Sequence, residues 1–207
     1  TIYHRDGSVA SIRLNRPDSL NAVTPALYEG VREGLDRAAR EDARVVVLEG
    51  EGRAFCAGAD MQQHDETRRT PKERRDYVWA AQNTCRAVQT HPQPVVAKVD
   101  GYAIGAGAEL ALSADFVLAA DDAEFRFPEV GVGTYVGGGV SYTLSQRVGA
   151  ARAKELILSA ATLTGDEAAE EGVATSAHPA SELEGAVREL TETLAQHAPV
   201  PMEFAKK

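Results

Sequence analysis

The chain has 207 residues, 43% of them hydrophobic, which is enough for one substantial core and predicts a single domain over residues 1–207. Its formal net charge of −9 argues against a nucleic-acid groove or an anionic membrane surface as the main partner. No apolar run reaches the length of a membrane span, and the two cysteines lack the spacing of a zinc or redox motif. We therefore expect a reduced, cytoplasmic protein that binds no metal.

The first elements along the chain are a strand, a helix and a second strand. Residues 8–14 alternate apolar and polar side chains with a period of two, which predicts a strand. Thr24 followed by Pro25 is typical of a helix N-terminus, and an apolar stripe at helical spacing follows: Leu27, Val31, Leu35 and Ala38. The β-branched run at 45–48 then predicts a buried strand.

Two stretches of small residues are the most informative features of the sequence. The first small-residue segment, residues 55–60, reads Phe-Cys-Ala-Gly-Ala-Asp, and the second, residues 101–109, reads Gly-Tyr-Ala-Ile-Gly-Ala-Gly-Ala-Glu. Small side chains let a backbone N–H approach a ligand closely, so two such turns facing one another could form paired donors for a developing oxyanion. Close packing of backbone against backbone explains the small residues equally well.

The elements around and after these segments follow from similar signals. The mixed charges at 65–76 predict solvated surface, and an apolar stripe over 78–88 predicts a helix. Residues 95–99 and 116–119 read as strands on either side of a helix at 105–114. Two capping boxes, Thr164 with Glu167 and Ser181 with Glu184, are expected to open later helices. Leucine and valine at helical spacing over 183–194 then give the last helix an apolar face.

Taken with Phe127-Pro128-Glu129 further along, the two segments resemble the crotonase family, also called the enoyl-CoA hydratase/isomerase superfamily. The resemblance begins at Asn15-Arg16-Pro17 and continues through the helices after Gly149, so it covers essentially the whole chain. It implies an α/β fold, a spiral of repeated ββα turns with a helical C-terminal region. Because relatives continue through further helices, we expect the C-terminal helices to be incomplete here.

The resemblance assigns the oxyanion donors to the backbone N–H groups of Ala59 and Ala106. These would stabilise the enolate of an acyl-CoA thioester more than its ground-state carbonyl. The family usually has glycine where Ala106 stands, and a positive φ would cost alanine about 1 kcal/mol. We therefore expect an ordinary helical φ at Ala106.

The resemblance also places substrate contacts at Ala57, Asp60, Met61 and Gln62, in the stretch where family members bind the CoA portion. Gln62 replaces a frequent lysine there, so the phosphates could instead be held by Arg16 or by arginines at 68–75. Solvated surface is the favoured interpretation of those arginines.

Two carboxylates distinguish the possible chemistries. Glu109 and Glu129 fall on both positions that the family's hydratases use, whereas isomerases commonly keep only the second. Hydration needs one group to orient and deprotonate water and another to protonate Cα. The pair therefore implies an enoyl-CoA hydratase in which Glu129 protonates Cα and Glu109 holds the water. Two carboxylates in a dry pocket should titrate jointly, with one pKa raised.

The glycines at 131, 133 and 137–139 predict a helix-entry turn, because the Lys-Ser/Thr ending of a Walker loop is missing. On the family layout, Tyr135 should lie near the acyl end of the pocket, where it narrows the tunnel or hydrogen-bonds a polar acyl group; simple packing is the alternative. Related acyl-CoA hydrolases often carry an acid where Gly137 stands, which disfavours hydrolysis.

Two alternatives to a hydratase remain at this stage: a double-bond isomerase, and a non-catalytic acyl-CoA-binding scaffold. The substrate implied is an acyl-CoA thioester, with coenzyme A as part of the substrate and no separate cofactor. His64, His91 and His178 are expected to be structural or solvent-facing. A homo-trimer or hexamer is expected because the apolar face of the helix at 181–196 would otherwise be partly uncovered.

Overall fold

The computed structural model describes residues 1–60 and 70–206. Two of the expected substrate contacts, Met61 and Gln62, lie outside the described residues, as do His64 and the first arginines of the 68–75 run. Residues 70–76 are described and all are exposed, as the mixed charges of that stretch predict.

The described elements mix strands and helices along the whole chain. The strands are β1 (Ile2–Asp6), β2 (Val9–Leu14), β3 (Val45–Gly50), β4 (Val95–Val99), β5 (Tyr102–Ile104), β6 (Phe116–Ala120), β7 (Glu124–Arg126), β8 (Thr162–Thr164) and β9 (Ser176–His178). The α-helices are α1 (Pro25–Arg40), α2 (Pro71–Gln89), α3 (Ala106–Leu112), α4 (Val140–Val148), α5 (Ala150–Ser159), α6 (Gly165–Glu170), α7 (Ala180–Gln196) and α8 (Pro199–Lys206). Short 3₁₀ turns span Pro17–Ser19 and Glu129–Val132.

The described strands form two sheets. The larger has the order β1-β2-β3-β4-β6-β9, and only the β1–β2 pair is antiparallel. The smaller has the order β5-β7-β8. The units β4-β5-α3 and β6-β7-α4 each add one strand to each sheet before a helix follows, which is the repeated ββα pattern that the family resemblance implied. The predicted α/β class with C-terminal helices is confirmed.

Local signals account for the best-predicted elements. Helix α1 begins where the sequence indicates, because the Thr24 hydroxyl accepts the Leu27 N–H at 3.1 Å. Strand β3 is buried along nearly its whole length, as expected for a central parallel strand covered on both faces. The predicted strands at 95–99 and 116–119 and the helix at 105–114 are confirmed as β4, β6 and α3.

One contiguous core joins the large sheet to the helices around it. Its largest fully buried side chains include Tyr28, Phe55, Phe125 and Phe127. Burying an aromatic side chain of this kind stabilises the fold by about 2 to 3 kcal/mol. Phe55 is the first residue of the first small-residue segment, and Phe127 lies two residues before Glu129, so the core itself fixes the backbone of the candidate site.

The expected capping box at Ser181 and Glu184 is wrong. Helix α7 begins two residues earlier than that box predicts, at Ala180, with Pro179 as its N-cap and without a side-chain cap. Glu184 instead forms an ion pair with Lys98 of β4, with 2.6 Å between Oε2 and Nζ. The capping box at Thr164 and Glu167 is confirmed at the start of α6.

The apolar face of α7 does not support an oligomer in the way the sequence suggested. Leu183, Val187 and Leu194 are buried, because α7 packs on β3, β4, β6 and β9 of the same chain. The large apolar side chains that remain exposed lie elsewhere and include Val132, Tyr142, Leu158 and Phe204. Helix α7 is also followed by α8, which the periodicity of the sequence did not reveal.

Candidate active site

The two small-residue segments lie side by side. Cys56 forms a parallel bridge with Ala103, and Ala54 forms an antiparallel bridge with Gly101. The Cys56 N–H donates to the Tyr102 carbonyl at 2.8 Å, and the Ile104 N–H donates back to the Cys56 carbonyl at 3.0 Å. The facing arrangement expected from the sequence is thus present, and backbone hydrogen bonds hold it.

Glycine is required where the segments touch. A Cβ on Gly107 would stand 2.0 Å from the Cys56 carbonyl oxygen, and one on Gly58 would stand 2.7 Å from the Ile104 carbonyl oxygen. Gly58 also has φ +92°, a conformation that side chains rarely adopt. Its missing side chain faces the Ala106 nitrogen, 3.7 Å from the ideal Cβ position. The turn carrying Ala59 therefore packs directly against the start of α3.

Ala106 is the first residue of α3 and is not among the residues with positive φ. The expected helical conformation is confirmed. The left-handed turn falls one residue earlier, on Gly105, with φ +55°. The alanine is thus tolerated without strain, and its N–H belongs to the first turn of the helix, where backbone donors have no partner within the helix.

Residues 16–24 hold the first small-residue segment in place through hydrogen bonds. Fully buried Asn21 donates to the carbonyls of Glu51 and Ala54, at 3.0 and 2.7 Å, and accepts the Arg16 N–H at 2.8 Å. The Val23 N–H donates to the Gly58 carbonyl at 2.8 Å. These bonds fix the peptide units that precede Ala59.

The interpretation of Arg16 as solvated surface is wrong. Its guanidinium donates to the Ala22 carbonyl at 2.6 Å and forms an ion pair with Asp60 at 2.9 Å. Both side chains are largely shielded, so this pair is more than a surface contact. Of the expected substrate contacts, Asp60 is therefore bound by an arginine of the supporting segment, and Ala57 donates its N–H to the Leu20 carbonyl at 2.9 Å.

Glu109 projects from α3 and is only 6% exposed. One of its carboxylate oxygens, Oε1, accepts the Gly137 N–H at 2.5 Å. A Cβ on Gly137 would stand 3.0 Å from the other oxygen, Oε2, so a side chain at this position would force the carboxylate to shift by a few tenths of an ångström. The carboxylate is thus held at a defined position inside the protein.

Glu129 begins the 3₁₀ turn after β7 and is 7% exposed. Its Oε1 lies beside Gly105, 3.0 Å from the ideal Cβ position of that glycine. Among the described residues, its Oε2 is buried without a hydrogen-bond partner. Because a buried polar atom is costly to leave unpaired, this oxygen is available to a water or a substrate.

Both carboxyl groups resist ionisation. Burial raises the pKa of Glu109 to about 7, although the Gly137 N–H lowers it, and the nearby Glu129 carboxylate raises it further. Burial also raises the pKa of Glu129. Because the Glu129 carboxylate adds to the rise in the Glu109 pKa, the ionisation of Glu109 depends on the charge state of Glu129. A carboxyl group with a pKa of about 7, such as Glu109, can both donate and accept a proton at physiological pH.

The glycine stretch after Glu129 forms the expected helix-entry turn. Gly139 is the N-cap of α4 with φ +82°, and Gly138 is also left-handed, with φ +58°. The contact of Gly137 with Glu109 was not anticipated, since a backbone N–H carries no signal in a sequence. Tyr135 lies earlier in the same stretch and is 70% exposed.

Of the other nucleophilic and titratable candidates that the structure describes, Cys56, Cys85 and His91 belong to the interior. Burial raises the pKa of Cys56 and of Cys85 to about 12, so both thiols are neutral. Burial lowers the pKa of His91 to about 4, in keeping with a structural role. His178 is half-buried on β9 and shares a hydrogen bond with Ser176.

The chain is similar to known proteins of one family. The family model described as enoyl-CoA hydratase/isomerase matches residues 4–207. The chain is 32% identical to 2,3-dehydroadipyl-CoA hydratase of Escherichia coli, covering all of this chain and 80% of that protein. It is also 32% identical to the short-chain-enoyl-CoA hydratase of Clostridium acetobutylicum, over all of this chain and 79% of that protein.

The fold comparison gives the same result. A crystal structure of an enoyl-CoA hydratase from Bacillus anthracis superposes with a TM-score of 0.93 at 33% identity. The match covers 99% of this chain and 80% of that one. Within the described residues, no helix is both long enough and apolar enough to cross a membrane.

Proposed function

The chain belongs to the enoyl-CoA hydratase/isomerase family, and from that premise we propose that it is an enoyl-CoA hydratase, adding water reversibly to a 2-enoyl-CoA. The observation that carries the proposal is the pair of buried carboxyl groups, Glu109 and Glu129, next to the touching small-residue segments. Two acids suit hydration because the reaction moves two protons, one from water and one to carbon.

We place the thioester oxygen between the N–H groups of Ala59 and Ala106. The contact of Gly58 with the start of α3 supports this, because it brings the two peptide units together. Fixed backbone donors of this kind favour the enolate over the neutral carbonyl, and each is worth about 3 kcal/mol in the barrier. Asn21 and the Arg16–Asp60 pair would keep the Ala59 side of the hole rigid.

In the proposed hydration step, Glu109 holds the water and takes its proton while the water oxygen bonds to C3 of the enoyl thioester. The C2–C3 π electrons move to give the enolate, whose oxygen is held by the backbone donors. Glu129 then delivers its proton to C2. The sum is one water added across the double bond, and proton exchange through the two acids restores the starting state.

The environments of the two acids support this division. The pKa of Glu109 is about 7, because the Gly137 N–H offsets part of the rise caused by burial, so a large share of this carboxyl group is ionised at neutral pH and can act as the base. Glu129 Oε2 is buried and unpaired, which favours the protonated form and suits it as the donor. The chemistry is assigned to these carboxyl groups and backbone donors, with CoA present only as part of the substrate.

Further parts of the proposal concern the substrate and assembly. We propose that Ala57, Asp60, Met61 and Gln62 contact the CoA portion of the substrate and that Tyr135 borders its acyl end.

We also propose that the protein assembles as a homo-trimer or hexamer. Exposed apolar side chains such as Tyr142, Leu158 and Phe204 support this, because association would bury them. Sedimentation analysis of the purified protein would show a trimer or its multiple, and a strictly monomeric mass would reject this part.

The enzyme activity is tested by following the enoyl-thioester absorbance of a short 2-enoyl-CoA. Loss of absorbance with formation of the 3-hydroxyacyl product is the expected result. Solvent deuterium appearing at the α-carbon alongside hydration would show that a proton reaches C2 within the same site.

Two outcomes would overturn the hydratase assignment. Double-bond migration or α-proton exchange without hydration of any enoyl-CoA would identify an isomerase. Tight CoA-thioester binding without turnover of any kind would identify a binding scaffold.

A further inference from the structure

The turn at residues 137–139 holds Glu109, yet it is built from three consecutive glycines. Gly138 and Gly139 are both left-handed, and Gly137 supplies the N–H that Glu109 accepts. Glycine loses more conformational freedom on folding than any other residue, so a turn of three glycines has little intrinsic preference for one backbone conformation. The position of the donor therefore depends on what holds the turn in place.

The last turns of α2 provide that support. Cys85 and Gln89 are one helical turn apart and point to the same face. The Cys85 sulfur would stand 2.9 Å from a Cβ on Gly138, and the Gln89 side-chain nitrogen lies 3.3 Å from the Gly138 carbonyl oxygen. Since a carbonyl only accepts, the Gln89 amide must present its NH₂ group to the turn.

The same amide reaches the helix that carries Glu109. The Gln89 nitrogen lies 3.5 Å from the Ser113 hydroxyl oxygen at the end of α3, and that hydroxyl donates to the Glu109 main-chain carbonyl at 2.8 Å. Ser113 is buried, so its oxygen can accept from Gln89 while its proton is used within the helix. One half-buried side chain thus contacts both structures that fix the Glu109 carboxylate.

We propose that Gln89 is a positioning residue for Glu109: it ties the 137–139 turn to α3 and so sets the hydrogen bond that the Gly137 N–H makes to the carboxylate. The role rests on the proposed function, in which Glu109 holds the reacting water. Residue 89 does not itself touch the reacting atoms in this proposal. Gln89 acts on Glu109 indirectly, by fixing the position of the 137–139 turn.

A pH profile can report this link, because the Gly137 N–H lowers the pKa of Glu109. Loosening the turn would raise that pKa and move the acidic limb of kcat/KM to higher pH. The other ionisable groups around Glu109 are Glu129, Tyr28, Cys56 and Cys85. Burial raises the pKa of the tyrosine and of both thiols, so Glu129 is the remaining group that titrates with Glu109.

The test compares the parent with Gln89→Met, which keeps the length of the side chain and removes the donor. The matched control is Gln82→Met on the same helix. We expect kcat to fall by about tenfold in Gln89→Met, with the acidic limb shifted upward, since small displacements of a reacting group are costly. KM should stay within about twofold, because binding of the CoA portion is untouched.

An unchanged pH profile, or a loss of activity equal to that of the control, would overturn the proposal. If Gln89→Met does not fold, Ser113→Ala tests the same connection, because it removes the second contact of the Gln89 amide together with the hydrogen bond that Ser113 donates to the Glu109 carbonyl. We expect it to shift the acidic limb in the same direction by a smaller amount. No shift in Ser113→Ala would then count against the proposal.

Hydrogen exchange separates failure of this proposal from failure of the proposed function. Exchange over residues 134–140 should be faster in Gln89→Met than in the parent and in Gln82→Met, whatever the enzyme's reaction. Equal exchange in all three proteins would overturn the positioning role. A parent enzyme that never hydrates an enoyl-CoA would overturn the function and leave the exchange result standing.

Discussion

The carbonyl oxygen of Cys56 lies directly against the α-carbon of Gly107, so that a Cβ there would stand 2.0 Å from it. This contact joins the two small-residue segments at the base of the proposed oxyanion hole. Both atoms belong to the backbone, so rotation of a side chain in either segment cannot relieve a clash at this contact. The separation of the segments is therefore set by the absence of one methyl group.

Gly107→Ala should force the segments apart and weaken both stability and catalysis. We expect a loss of about 1 to 3 kcal/mol in the free energy of unfolding, the usual cost of overpacking. Turnover should fall more than substrate affinity, because the displaced donors act on the enolate. Chemical denaturation and steady-state kinetics would measure both effects, and a variant with parental turnover would contradict the proposed hole.

The two carboxyl groups should respond differently to neutralisation. Glu129→Gln should reduce hydration and α-proton exchange by about 10² to 10⁴, since it removes the proton donor to carbon. Glu109→Gln should reduce hydration by a similar factor and leave any residual double-bond shift largely intact. The losses should not add in the double variant, because both groups serve one water. Absorbance and deuterium uptake are the measurements; full activity of the double variant would disprove the assignment.

Gly137→Ala should disturb Glu109 without altering any charged group. The new Cβ would stand 3.0 and 3.2 Å from the two carboxylate oxygens, so the carboxylate must shift by a few tenths of an ångström. We expect kcat to fall by about tenfold to a hundredfold, since catalysis depends on such distances. Gly185→Ala on α7 is the control, because nothing lies within 4 Å of its Cβ position. Equal kinetics for the two variants would contradict the prediction.

Burial of Glu109 should make the protein less stable as the pH rises. The pKa is raised from 4.5 to about 7, so the folded state prefers the protonated form. The resulting stability is present below about pH 4.5 and is lost as the pH rises to about 7. Its size is about 3 kcal/mol.

Glu109→Gln removes this dependence, so it should gain stability relative to the parent as the pH rises through that window. Urea denaturation of both proteins at either end of the window would measure the difference. A constant difference would mean that Glu109 ionises as freely in the folded chain as in the unfolded one. In the parent, burial of the Glu109 carboxyl group would therefore lower stability at the upper end of the window, a cost that functional residues in active sites commonly carry.

The sequence predicted the elements with strong local signals. Thr24 and Pro25 marked the start of α1, and buried β-branched runs marked β3 and β4. The three-residue strands β5, β7, β8 and β9 were missed, because so few residues give no detectable period. A capping box at Thr70 and Glu73 was also missed, since those residues were treated as part of a solvated charge run.

The site was predictable only as far as side chains define it. The small-residue segments and the two glutamates stood out by their residue types and by their likeness to a family. The Arg16–Asp60 pair joins residues 44 positions apart, and such pairing follows from topology and not from local sequence. The Gly137 contact is made by a backbone N–H, which every residue except proline possesses.

The ion pair at the end of α8 gives the C-terminal helix an influence beyond its own packing. The Lys206 ammonium binds the Asp115 carboxylate at 2.8 Å and donates to the Val88 and Gln93 carbonyls, at 3.3 and 3.1 Å. Val88 directly precedes Gln89. The end of α2 that supports the glycine turn is therefore held in place by a hydrogen bond from Lys206, a residue more than 110 positions later in the chain. On the positioning role proposed for Gln89, trimming α8 or replacing Lys206 by methionine should loosen the end of α2 and slow proton transfer at Glu109, a carboxylate that is not among the described contacts of Lys206.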